Sequence, residues 1–299
     1  MIKLFHFIPF LLLVVPIFYG VIGYLKNKNS SKEPNQNKNW ASSTAVFNSA
    51  VLYALSFNLI FFIQELFLAL GKKWLGLRAY LYHNNHNWDG THPMEGLAQG
   101  LGALAILIFG VIVFQLTKVV KQTSWLYVFL VWLSFQGFAQ SLPQFITAFI
   151  ARDTDTGQAF TYLKIGDTLG LLISIICTFL MLYICAVYSK IFLRISPNHS
   201  TVFNAFSKFR YLFGIIILGS LLGAVICIPF RIMPLDRAIM PFMVTLISVP
   251  MIWAYAWKAS PGKVNNNVIN HKTALVPISI LFLLLLFFQL VLAKGVVIE

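Results

Sequence analysis

The chain has 299 residues, of which 59% are apolar and only 10% charged; its mean hydropathy is +0.79 and its formal net charge is +13. A soluble domain of this length carries roughly a quarter charged residues, so a soluble globular fold is excluded. Nucleotide, dinucleotide and kinase fingerprints are absent, as is a CxxCH haem attachment. The positive charge is explained by membrane topology and needs no nucleic-acid partner.

Apolar runs of about twenty residues recur, the length that crosses the hydrocarbon core as a helix. In lipid, each backbone N–H and C=O must be satisfied within its own segment. The runs lie at about 4–25, 46–70, 97–117, 124–150, 165–188, 211–230, 238–257 and 274–293. The expected fold is all-α: a polytopic helical membrane bundle of about eight transmembrane helices, one domain over 1–299.

The first run follows Lys3, is too long for a secretory signal and has no small-residue cleavage pattern after it, so a retained helix is expected. A connector at 26–45 follows, and a second of similar Asn, Lys, Ser and Pro composition occupies 258–273; both read as flexible. The second run carries Glu65 in "NLIFFIQELFLALGKKW", with Asn58 seven residues earlier on the same helical face. An ionisable group within a span normally faces a partner or a wet cavity.

Residues 80–96, "YLYHNNHNWDGTHPMEG", separate the second and third runs. His83 and His86 are three apart, near enough to share one ion on a helical turn, and imidazole with carboxylate suits Zn or another divalent metal. His92 or a carboxylate would supply the third ligand. Asp89-Gly90 reads as a tight turn and Trp88 as an interfacial anchor. Asn58, Gln64, Asp89 and Glu95 are expected around a polar pocket that the loop covers. Two other readings stay open for the loop: an interfacial turn meeting water and headgroups, or direct contact with a ligand.

"GLAQG" at 96–100 and "GDTLG" at 166–170 share the GxxxG spacing that lets helices approach closely. If the third and fifth helices meet there, Asp167 lies beneath the histidine loop. Its alternative is an acid favoured by the helix dipole at an N-terminus. In the fourth run Gln136, Gln140 and Gln144 recur every four residues beside Pro143, which should kink the helix and free a backbone carbonyl. That stripe either bonds neighbouring helices or lines a cavity. Further kinks are expected at Pro241 and Pro250. Cys177, Cys185 and Cys227 all fall within spans and read as packing residues.

The loops at 26–45, 118–123, 189–210 and 258–273 hold thirteen Lys/Arg against nine on the opposite side. The first set is expected to be cytoplasmic, with both termini outside and a bacterial inner membrane as the location. Of the acids, only Glu33 falls in a cytoplasmic loop; Glu299 and four of the six histidines, His6 included, fall on the outer side.

The order of Glu65 and Asp167 resembles, in weakened form, the site-2-protease family of intramembrane zinc peptidases, over roughly residues 58–170. That family carries HExxH on one core helix and an Asp ligand on a later one. In "QELFL", residues 64–68, Glu65 takes the general-base position, while Gln64 and Leu68 stand where the two histidine ligands belong. The resemblance implies a zinc-dependent membrane hydrolase or a non-catalytic relative, acting on a membrane-embedded peptide or a lipid-linked substrate. From the residues alone, an ion-coupled carrier and a scaffold whose outer loop binds a partner are the competing functions.

Overall fold

The computed structural model describes residues 8–28, 41–231 and 235–298. His6, Glu33, Glu299, the start of the first expected span and residues 29–40 of the first connector lie outside them. Helix α1 spans Ile8–Lys28, α2 Ser43–Trp74, α3 Glu95–Leu116, α4 Trp125–Thr147, the short α5 Asp155–Tyr162 and α6 Asp167–Arg194. Then come α7 over Ala205–Ile226, with a π-helical turn at Phe213–Leu218, α8 over Met240–Ala254 and α9 over Leu275–Leu290. Among the described residues, seven helices (α2, α3, α4, α6, α7, α8 with its preceding turn, and α9) are long and apolar enough to cross a membrane. The 21-residue α1 occupies the remaining expected span. The fold is the expected all-α polytopic bundle.

Side-chain oxygens start several of these helices by accepting orphan N–H groups: Ser42 from Ala45, Ser124 from Tyr127, and Thr154 from Gly157. Helices α2 and α4 form the centre, with 72% and 78% of their most apolar windows buried, whereas α9, at 22%, mostly faces outward. Between them lies an aromatic core around Trp132, Tyr53, Tyr188 and Phe192. Its polar tips are satisfied internally, as an apolar surround requires. Trp132 Nε1 donates to Ser49 Oγ at 3.1 Å, and the Tyr53 and Tyr188 hydroxyls pair with Thr245 and Ser134 at 2.7 and 2.6 Å. Helices α3 and α4 cross at Gly110 and Gly137, where a Cβ on Gly137 would stand 2.7 Å from the Gly110 Cα.

The histidine-rich stretch is not a helical turn. It is an antiparallel hairpin, β1 (Arg78–Leu81) and β2 (His86–Asp89), and β3 (Val296–Ile298) adds to the other edge of β1. Gly90, at φ 93°, bends the chain where β2 ends, and the turn of the hairpin lies between Tyr82 and Asn85. Pairing between β1 and β3 puts both at one end of the bundle, which requires an even number of crossings between them. The helices α3, α4, α6, α7, α8 and α9 satisfy that. The ends therefore alternate as expected, with the sheet, α5 and the turn before α8 at one end.

Three expectations change. The GxxxG glycines do not join the third and fifth long helices: Cβ atoms at Gly96 and Gly100 would meet Gln158 and Ala159 of the short α5, and one at Gly170 would meet Phe149. Pro241 begins α8, where its missing N–H removes no helical bond, so it kinks nothing. The connector 258–273 is pinned rather than flexible. Asn267 donates to the carbonyls of Gln122 and Ser124, Asn270 to that of Ile195, and Asn48 of α2 to those of Ile269 and Lys272. Its asparagines, read as loop composition, supply the bonds.

The Lys/Arg asymmetry makes the end opposite the sheet the expected cytoplasmic one. Reporter fusions truncated after Lys121 and Lys208 should report cytoplasm, and one truncated after Trp88 should report the exterior. A cytoplasmic signal from the Trp88 fusion would invert every sidedness argument.

Candidate functional site

A cavity of about 400 Å³ opens beneath the hairpin. Helix α2 contributes Phe57, Phe61, Gln64 and Glu65, at i, i+4, i+7 and i+8 on one face. Helix α4 contributes Ala139, Gln140, Pro143 and Gln144. Because Pro143 has no N–H, the turn carrying the Ala139 carbonyl faces this space without its helical bond. The far wall is the Met240, Met243, Val244, Ile247 and Ser248 face of α8, and the rim is set by Asn85, Asp153, Thr154, Asp155 and Arg237.

The centre of the polar side is an ion pair. His86 Nδ1 lies 2.8 Å from Glu65 Oε2, both side chains 7% exposed, and His86 Nε2 lies 3.2 Å from Gln99 Oε1. Both ring nitrogens of His86 are thus engaged, one by a carboxylate and one by an amide. Rotating the Gln99 amide by half a turn presents an N–H to Nε2 instead and accommodates the neutral ring. The ring stacks on Trp88 at 5.8 Å and 13°, and the buried Lys72 ammonium sits 4.1 Å from the centre of the Trp88 ring while donating to the Glu95 carbonyl at 2.6 Å.

Below the pair lies Arg231, entirely buried. Its Nη1 donates to Asn84 Oδ1 at 2.9 Å and its Nη2 to Asn58 Oδ1 at 2.8 Å, and its guanidinium lies 3.9 Å from the centre of the Phe61 ring. Burial pulls its pKa down to about 10, with Glu65 opposing the shift, so it stays charged at neutral pH. Asn84 belongs to the turn of the hairpin, where Tyr82 N donates to Asn85 O at 2.8 Å; the tip of that turn, His83 and Asn84, is inserted into the bundle.

The glutamine stripe joins the same network. Gln144 Nε2 donates to Gln64 Oε1 at 3.0 Å, and Gln140 Nε2 to Gln136 Oε1 at 3.0 Å. Both readings of the stripe hold in part: Gln140 and Gln144 line the cavity, while Gln136 is buried among helices.

Of the expected site residues, Glu65, His86, Gln64, Gln140 and Gln144 come together around the cavity. Asn58 stands behind them as an Arg231 ligand. The others disperse. Asp167 opens α6, is 68% exposed and pairs with Arg152 at 3.3 Å, as an N-terminal helix acid does. His83 is buried in the hairpin turn, and His92 Nδ1 accepts from Met94 N. Asp89 accepts from the Tyr80 hydroxyl on the outer face, and Glu95 starts α3. Among the described residues, no three His, Cys, Asp or Glu side chains are grouped so as to hold a metal ion. His83, His86, His92 and Asp167 form no such group, and both nitrogens of His86 are already engaged, so this arrangement does not fit the expected zinc ligand set.

Sequence reasoning missed Arg231, Arg237, Asp153 and Asp155. Arg231 stands one residue past an apolar run, where a basic residue reads as a boundary marker. Burial pushes the Asp155 carboxyl above the usual aspartate range, with Glu65 adding to the shift and His86, Arg237 and Lys72 opposing it. For an acid whose pKa is raised by folding, the stability it contributes is complete below the ordinary aspartate pKa. It is lost as pH rises through the raised value. Asp155→Asn should therefore raise the unfolding temperature at neutral pH and change it little below the ordinary aspartate pKa. The opposite pattern would mean that the carboxylate is the stabilising form.

These observations make the chain a multi-pass helical membrane protein with a buried Glu65–His86 pair at the wall of an internal cavity. Comparison with protein-family models, with curated proteins and with solved structures finds no match in any of the three.

Proposed function

We propose that the chain is a membrane carrier that takes a small amphipathic ligand into the cavity and couples its binding to protonation of the Glu65–His86 pair. The observation that carries this reading is the lining itself. One wall offers Glu65, His86, Gln140 and Gln144 with the rings of Phe57 and Phe61 beside them, and the other is the α8 face, apolar but for Ser248. A volume of about 400 Å³ is in the range of small-molecule sites. The mixed signs at the rim, Arg237 against Asp153 and Asp155, suit a head that both donates and accepts. A membrane-embedded peptide end or a lipid-linked group meets the same description. Hydrolysis at a metal loses support because the expected ligands are dispersed. The Glu65–His86 pair has, in addition, no nucleophile in place: Nε2 of His86 faces Gln99.

Proteoliposomes loaded with a pH-sensitive dye test the coupling. A panel of small amphipathic amines, acids and zwitterions should include members that drive proton movement, and His86→Gln should abolish it. A protein that moves no proton with any member, and binds none, would sink the carrier reading.

A further inference from the structure

At the opposite end of the bundle, where α3 ends, α4 begins and α6 finishes its last two turns, lies a second cavity of about 210 Å³. Its polar lining consists of Thr117, Lys118, Gln122, Tyr127, Lys190 and Arg194. Three cations therefore converge from two segments, the turn after α3 and the end of α6, with hydroxyl and amide groups among them and no carboxylate in the lining. Their positions are set by structure rather than chance. Lys190 and Arg194 are four apart on one face of α6, Lys118 Nζ is held by Gln115 Oε1 at 2.6 Å, and Arg194 Nε donates to the Pro261 carbonyl at 2.8 Å. Gln122 is fixed in turn by Asn265 and Asn267 of the pinned connector.

Such a donor set calls for a multiply accepting anion, and phosphate is the group that Lys and Arg together recognise best. The surroundings indicate what the phosphate is attached to. Leu126, beside Tyr127 on α4, and Tyr183, one turn deeper than Val187 on α6, are 39% and 68% exposed and face outward from an apolar bundle. Basic pockets between transmembrane helices at a membrane boundary are sites for anionic headgroups. We propose that this cavity binds the phosphate of an anionic membrane lipid, with its acyl chains along Leu126 and Tyr183.

Native mass spectrometry of the detergent-purified full chain tests this with three probes: dioctanoyl phosphatidylglycerol, dioctanoyl phosphatidylcholine and inorganic phosphate. Phosphatidylglycerol should bind at least about tenfold more tightly than phosphatidylcholine, and at about fivefold per cation the Lys118→Gln/Lys190→Gln variant should lose roughly 25-fold. Lys118→Arg/Lys190→Arg should retain binding, and the unfolding temperature of each variant checks that it is folded. Equal binding of the two lipids, or unchanged phosphatidylglycerol affinity in the glutamine variant, would overturn the site. Inorganic phosphate binding as tightly as the lipid would overturn the lipid assignment and leave a free-phosphate site.

Discussion

Arg231→Met should destabilise the protein by about 2–4 kcal/mol in a denaturant titration of the detergent-solubilised chain. Two effects compete. Removing a buried cation relieves a desolvation penalty, and a hydrophobic replacement of an entire buried charge network is often neutral. Here the acceptors remain. Asn58 Oδ1 and Asn84 Oδ1 would face an apolar methionine, each losing its 2.8–2.9 Å bond to the guanidinium, and a buried hydrogen bond broken from one side costs about 1–3 kcal/mol. The second effect wins. The triple variant Arg231→Met/Asn58→Leu/Asn84→Leu should recover much of the loss, because it removes the orphaned acceptors as well. A single variant as stable as the parent would show that the guanidinium does not hold the inserted hairpin turn.

Glu65→Gln should weaken cavity ligands by about tenfold or more and abolish ligand-driven proton movement. A charge-assisted buried hydrogen bond contributes about 1.5–3 kcal/mol, and the substitution keeps the shape while removing the charge. Glu65 also supplies the negative field opposing both His86 and Arg231. The effects of Glu65→Gln and His86→Gln should therefore not add: a double-mutant cycle should give a coupling of about 1 kcal/mol or more, as expected for groups in direct contact. Trp88 offers a readout independent of any ligand, since it stacks on the His86 ring. Its fluorescence, taken as the difference from a Trp88→Phe variant, should change in His86→Gln, which removes the stacked ring. Full activity and normal abundance of Glu65→Gln would reduce Glu65 to a tolerated polar residue.

Hydropathy made the spans legible because lipid leaves the backbone one local solution, and Glu65 stood out because an acid in such a run needs a reason. Its partner His86 was also legible as a polar residue near the same helix end, although the pairing expected was through a metal. The hairpin was not legible. Arg78–Leu81 and His86–Asp89 are four residues each, contain no β-branched residue and are stabilised by β3, more than two hundred positions away. No local pattern encodes a partner so distant. Asp167 was misplaced for a related reason: GxxxG says that a helix can be approached closely, not by which neighbour. The short α5, too polar to read as a span, took that place against α3.

The pairing of β1 with β3 also has a consequence for biogenesis. Leu81 meets Val296 and Ala79 meets Ile298, so the three-stranded sheet is complete only after the six spanning helices between them have been inserted. Contacts of such long sequence separation form slowly, because chain closure precedes any gain. Until then β1 presents an open edge of unpaired N–H and C=O groups, a template for wrong pairing. Newly inserted chains should thus pass through a state in which all the helices are threaded and one edge of β1 is still unpaired, and quality-control proteases would find their substrate there.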